Sequence, residues 1–302
     1  SLMFLDTSIN MAMQPFKMMV GDMVNEKQKG LAYSIQSFLC NAGSLVGFLF
    51  PFIFTWIGIS NIAPQGVVPD SVIYSFYIGA AILILCVIYT TVKVKEMPPA
   101  EYAEYHGITE EEEKEKINMV KLLIKAPKAF WTVGLVQFFC WFAFMFMWTY
   151  TNGSVAANVF DAPTVETAVN GVSKVMLDTK SIQYQDAADW VGVLFAVQAI
   201  GSVLWAVCIP LFKDRKLIYS LSLVLGGLGF ISTYFVHNQY VLFISFLLIG
   251  CAWAAMLALP FTILTNALSG GHMGTYLGLF NGTICIPQIV AASLGGSILA
   301  LF

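Results

Sequence analysis

Eight stretches of twenty or more largely apolar residues run through this chain, at 2–24, 31–59, 71–92, 129–151, 188–212, 217–236, 240–266 and 275–302. A helix needs roughly 20 such residues to cross a hydrocarbon core about 30 Å thick, so each stretch has the length of one crossing. Hydrophobic residues make up 58% of the chain and charged residues 11%. No water-facing surface can be assembled around that balance, so lipid must be part of the solvent. The expected fold class is an all-α, multi-pass membrane protein, placed in the cell membrane. The first stretch begins at once, with no initiator Met or basic leader, and the last runs to Phe302. Neither resembles a signal peptide, and the chain reads as part of a longer protein with further helices at both ends.

The remaining composition narrows the chemistry. Cys40, Cys86, Cys140, Cys208, Cys251 and Cys285 all fall inside the apolar stretches and form no Cys-x-x-Cys pair, so they read as small packing residues. His106, His237 and His272 lie in loops without a Cys or Asp at metal-ligand spacing, and no metal site is assigned. The net charge of -3 is spread over scattered loops with no basic block, which points away from nucleic acid.

Cytoplasmic loops of membrane proteins collect Lys and Arg, and the loops here alternate accordingly. Lys27 and Lys29 follow the first stretch, the loop 60–70 has neither residue type, and 93–128 holds seven lysines. The loop 152–187 carries only Lys174 and Lys180 against four acids, and Lys213-Asp214-Arg215-Lys216 comes next. The first, third and fifth loops are therefore expected in the cytoplasm. The long basic loop divides the chain into 1–95, the end of one helical bundle; 96–128, a cytoplasmic linker; and 129–302, a second bundle. In the linker, Met97-Pro98-Pro99 stops one helix and Thr109 is placed to cap another. Glu110 with Lys114 and Glu112 with Lys116 are i,i+4 pairs, while Ile117, Val120, Leu123 and Ile124 are expected on the membrane surface.

The first stretch is the unusual one, with Asp6, Asn10, Gln14, Lys17 and Asp22 inside or at the end of an apolar helix. At 100° per residue Asn10 and Lys17 fall within roughly 40° of Asp6, so the three share a face. An ionised side chain at mid-bilayer costs at least about 2.5–3.5 kcal/mol, and such residues usually face a bundle interior and mark a path for ions or solutes. Asp6 and Lys17 are accordingly the candidate cation-coupling residues and Asn10 a candidate substrate ligand. Lys17 and Asp22 stand near enough to the cytoplasmic end to snorkel there.

Other stretches repeat the pattern. Ser34, Ser37, Asn41 and Ser44 form one face of the second, where the serines suit close packing and Asn41 is the better ligand candidate. Gln137 and Trp141 sit one turn apart in the fourth, an amide beside an aromatic surface. In the last, Gly278, Asn281, Cys285, Gln288 and Gly295 share a face on which Asn281 and Gln288 need polar partners. The candidate substrate-binding set is thus Asn10, Asn41, Gln137, Trp141, Asn281 and Gln288, expected to converge on a central cavity. Met11-Ala12-Met13-Gln14-Pro15-Phe16 also resembles Met256-Leu257-Ala258-Leu259-Pro260-Phe261. Each copy is followed by a Gly, Gly30 or Gly274, opening the next stretch, as parallel internal repeats would be.

Leu5-Asp6-Thr7-Ser8-Ile9-Asn10, Pro15-Phe16-Lys17 and Gly21-Asp22 together resemble the fourth helix of plant sucrose transporters and their animal relatives. In that family Asp is followed by Asn after four residues, Pro after nine, Arg after eleven and a second Asp after sixteen. Lys17 departs from the Arg, keeping the charge and losing the bidentate fork. Gly270-Gly271-His272-Met273-Gly274, with Gly278, Asn281, Ile286, Pro287 and Gln288, is similar to the family's eleventh helix and the turn before it. More distantly the chain resembles bacterial glycoside, pentoside and hexuronide cation symporters. The resemblance implies the two-bundle fold of the major facilitator superfamily, with the eight stretches as helices four to eleven of twelve. It also implies alternating access, with Asp6 loading a proton, or alternatively sodium being the coupling ion, as a glucoside or disaccharide such as sucrose or maltose enters the cytoplasm. No other cofactor, no enzyme activity and a monomer in the lipid are expected; a sensor that binds sugar without moving it is the alternative from another class.

Overall fold

The computed structural model describes residues 2–25, 27–59, 70–95, 119–169, 172–268 and 273–299, with positions 68, 98, 101 and 104 besides. Three helices come first: α1 (Leu2–Met23), α2 (Lys29–Trp56) and α3 (Asp70–Lys93). The short α4 (Met119–Ile124) precedes α5 (Lys128–Asn158). A hairpin of β1 (Thr164–Val169) and β2 (Val172–Leu177) leads to α6 (Ile182–Cys208), which ends in a 3₁₀ turn at Ile209–Leu211. Then follow α7 (Arg215–Phe235), α8 (Leu242–Ala267), α9 (Met273–Phe280) and α10 (Gly282–Leu299). Among the described residues six segments are long and apolar enough to cross a membrane: α3, α5, α6 with its 3₁₀ turn, α7, α8, and α9 with α10. The preceding helices α1 and α2 have the length of a crossing, at 22 and 28 residues.

Local chemistry sets several boundaries. Asp214 caps α7 by accepting from the Lys216 and Leu217 amides, and Ser181 caps α6 by accepting from Tyr184 at 3.2 Å. Before α8, the Asn238 side chain accepts from the Tyr240 amide at 2.9 Å. Beside it the Trp190 indole donates to the Gln239 carbonyl at 3.2 Å and stacks on Phe243. Such amphipathic rings collect where a membrane protein meets the headgroups.

Helix α8 is the hub, packed against α2, α5, α6 and α7 and buried along most of its length. Missing side chains make this possible. A Cβ at Gly201 of α6 would come 2.6 Å from the Leu247 carbonyl, and one at Gly250 would run into that of Gln198. On the other side a Cβ at Gly229 of α7 would come 2.7 Å from the Ser245 carbonyl, and Ser232 bonds Ser245 between hydroxyls at 2.7 Å. Small residues where backbones approach are the usual currency of helix association in lipid. Helix α2 packs on α6 and α8, whereas α3 touches α2 and leaves most of its apolar surface exposed.

Three features differ from the sequence reading. The segment 152–187 is not all loop. There α5 continues two turns to Asn158, Asp161 turns the chain at a φ of 49°, and the hairpin stands on bonds from Ala162 N to the Ala156 carbonyl and from Asp178 N to that of Pro163. The hairpin's pairings run from Thr164–Leu177 to Val169–Val172, and the sequence between the two strands is Asn-Gly, a dipeptide that favours hairpins. Among the described residues the fold is therefore helical with one added hairpin outside the long helices. Second, the last stretch jogs at Asn281, whose amide bonds the Leu277 carbonyl while its own carbonyl accepts from Ile284 and Cys285. Asn-Gly at 281–282 combines two weak helix formers, so the helix yields there without losing its ladder. Third, in the linker Thr109 and its charged pairs lie outside the described residues. Of the face expected on the membrane surface, Val120 and Ile124 are exposed, but Leu123 packs into the bundle and the Leu122 carbonyl accepts from Tyr276 at 3.2 Å.

Candidate functional site

The polar residues of the spans sort according to what the neighbouring backbone offers them. In α1 only part of the face is described: the side chains of Asp6, Asn10 and Gln14 lie outside the described residues. Lys17 is 7% exposed and does not snorkel. Its ammonium sits 4.1 Å from the centroid of the Phe261 ring in α8 and has no hydrogen-bond partner among the described residues. The Tyr33 phenol of α2 donates to the Lys17 carbonyl at 3.2 Å, and its ring lies 6.1 Å from Phe261. A desolvated cation on an aromatic face gains about 2 kcal/mol, which offsets only part of what its lost hydration costs. Phe261 is the residue after Pro260 in the stretch that resembles 11–16, and Lys17 is the first residue beyond that earlier stretch.

In α2, Ser34 donates to its own helix at the Gly30 carbonyl. Ser37 reaches across to the Ala254 carbonyl of α8 at 3.2 Å, and the Asn41 amide donates back to the Ser37 carbonyl at 2.7 Å. Asn41 is wholly buried, and its Oδ1 accepts nothing among the described residues.

In α5 the sequence placed Gln137 beside Trp141 without a reason for its amide to be buried. The reason is in α8. Proline has no N–H, so Pro260 cannot donate to the carbonyl four residues back, that of Met256. The Gln137 Nε2 fills the vacancy from the neighbouring helix, donating to the Met256 carbonyl at 3.0 Å. Freed carbonyls in spanning helices are commonly satisfied in this way by neighbours. Gln137 is 0% exposed, and among the described residues its Oε1 has no donor and, one turn on, the buried Trp141 Nε1 has no acceptor. Trp141 also belongs to a ring cluster that sequence reasoning missed. Its centroid lies 5.6 Å from Trp253 of α8 and 6.3 Å from Trp148, which is itself 5.5 Å from Trp253. The spacing of Trp141 and Trp148, seven residues on one helix face, was the available signal.

Asn281 and Gln288 stand half-buried at the jog and on α10, the helix that packs against α5. A Cβ at Gly134 of α5 would come 3.1 Å from the Thr283 methyl, so the two helices nearly touch. The structure thus brings Lys17, Asn41, Gln137 and Trp141 to helices around α8, with Asn41 and Gln137 engaged in helix contacts. A cavity of about 240 Å³ opens between α5, α7 and α8, where Tyr150, Ser154, Asn158 and Thr233 are among its polar lining; it includes none of the residues singled out from sequence.

Comparison with known proteins adds one finding. A family model described as Major Facilitator Superfamily matches residues 8–176, more than half of the 302-residue chain. Among curated proteins nothing matches.

Proposed function

The chain belongs to the major facilitator superfamily of membrane transporters, and from that premise we propose that it imports a sugar, a glucoside or disaccharide, together with a proton by alternating access. In this reading residues 1–95 close the first bundle, 96–128 link the bundles in the cytoplasm and 129–302 belong to the second bundle. The eight spans correspond to helices four to eleven of the superfamily's twelve.

One observation carries the choice of a polyhydroxylated solute: an acceptor and a donor without partners among the described residues, Gln137 Oε1 and Trp141 Nε1, one turn apart on one face of α5. Each buried polar atom without a partner costs about 1–3 kcal/mol, so a group that satisfies both is worth recruiting. A hydroxyl donates and accepts at the same oxygen, and a sugar presents several on a rigid ring. Asn41 Oδ1 offers a further acceptor beside α8. Asp6 supplies the carboxylate for coupling, Lys17 a positive charge on the same helix, and Asn10, Asn281 and Gln288 further hydrogen-bonding groups.

The test is uptake of labelled maltose and sucrose into proteoliposomes holding the full-length transporter, with proton and sodium gradients imposed separately. Accumulation driven by the proton gradient alone is the expected result. Accumulation with sodium alone would transfer Asp6 to sodium coupling. Binding without uptake would mark a sensor, and neither binding nor uptake would remove sugar as the solute.

A further inference from the structure

We propose that Trp148, braced by Trp253 and Trp141, is the platform on which a pyranose ring of the solute stacks; this rests on the sugar reading above. Its evidence is an exposure in an unexpected place. Seen down α5, the buried stripe runs through Phe130, Gln137, Trp141 and Phe144, and the lipid-facing residues Trp131, Leu135 and Phe139 lie roughly 120–200° from Gln137. Trp148 falls about 20° from Gln137, inside the buried stripe. It is nonetheless 41% exposed. Its ring therefore opens toward the interior of the assembly and not toward the lipid face.

The ring is also held. Trp253 approaches Trp148 edge-on at an interplanar angle of 82°, and Phe144 lies 6.1 Å away at 46°. On the far side Phe144 touches Trp253 at 4.9 Å and Phe230 of α7 at 5.6 Å, so α5, α7 and α8 all contribute to the support. A preorganised aromatic face loses little entropy when a ligand lands on it. Pyranose rings present a face of C–H bonds that packs on such a surface, while their equatorial hydroxyls project from the rim. The rim here is equipped: Trp141, its ring 6.3 Å from that of Trp148, carries a buried Nε1 without an acceptor among the described residues. A flat ring with an apolar face and a polar edge matches this combination, whereas an open-chain polyol has the hydroxyls without the face.

The experiment uses the full-length transporter in proteoliposomes and reads maltose transport together with oxidation of Trp148 by N-bromosuccinimide, followed by peptide mass spectrometry. Saturating maltose is expected to slow Trp148 oxidation severalfold in the unmodified protein, and sorbitol is expected to leave it unchanged. Trp148→Leu is expected to raise the KM for maltose roughly tenfold, with Trp148→Phe restoring it to within about threefold, the scale of an aromatic contact. Maltose transport with no protection of Trp148 and an unchanged KM in Trp148→Leu would overturn the platform and leave the sugar reading standing. A parent protein that neither binds nor carries maltose or sucrose would overturn both. Since protection is read on the unmodified chain, a misfolded variant does not decide the outcome.

Discussion

The Gln137 side-chain amide donates to the Met256 carbonyl at 3.0 Å, and Met256 is the residue whose helical donor Pro260 removes. A substitution in α5 therefore acts on the backbone of α8. We predict that Gln137→Leu destabilises the protein by about 1–3 kcal/mol, the range for a buried carbonyl left without a donor. Pro260→Ala, which restores an N–H to α8, should remove most of that penalty. The measurement is a double-mutant cycle on thermal unfolding in detergent. If the two substitutions add, the bond across the helices is incidental.

Lys17 of α1 and Phe261 of α8 form a second pair across helices. Because the ammonium rests on the ring at 4.1 Å, Phe261→Leu should cost more in the unmodified chain than in Lys17→Met. We predict a coupling of about 1–2 kcal/mol, the scale of a desolvated cation–π contact. Equal costs in the two backgrounds would show that Phe261 acts through packing alone.

Close backbone approach at Gly250 gives a sharper prediction. A Cβ there meets the Gln198 carbonyl and the Ser202 amide of α6, and neither atom belongs to a flexible side chain. Gly250→Val should therefore abolish folded protein on size-exclusion in detergent, while Gly227→Val, with no atom near its Cβ, should leave yield within about twofold of the parent. Monodisperse Gly250→Val at normal yield would mean that α6 and α8 are free to separate.

The helices were legible because apolar length is a property of one segment at a time, and lipid makes that property decisive. Trp148 and Gln137 were not legible in the same way. The burial of Gln137 depends on a proline 123 residues later in another helix, a consequence of Pro260 that only the contact between α5 and α8 reveals. The repeat had drawn attention to Pro260 without saying which carbonyl it leaves open or which neighbour closes it. The partner of Lys17 was not legible either: its place on an inward face could be read from α1, but nothing local to α1 announces an aromatic ring on α8. The hairpin at 164–177 was readable from Val-rich alternation around Asn-Gly, a short signal beside longer helical ones.

Asp6 carries the last prediction. It shares a face of α1 with Asn10 and Lys17 in an apolar stretch, where a carboxylate has to serve an ion or solute path or else be neutralised. The eleven residues to Lys17 correspond to roughly 16 Å of helix rise, too far for direct contact. The Lys17 ammonium is moreover engaged with Phe261. In the proposed cycle Asp6 is the group that loads and releases the proton. Asp6→Asn keeps shape and hydrogen bonding and removes titration. We predict that this variant loses uphill accumulation of sugar under a proton gradient, while binding and exchange down the sugar's own gradient persist. Counterflow and proton-driven uptake in the same proteoliposomes separate the two activities. Normal proton-driven accumulation in Asp6→Asn would show that the residue is structural and that the coupling carboxylate stands on another helix.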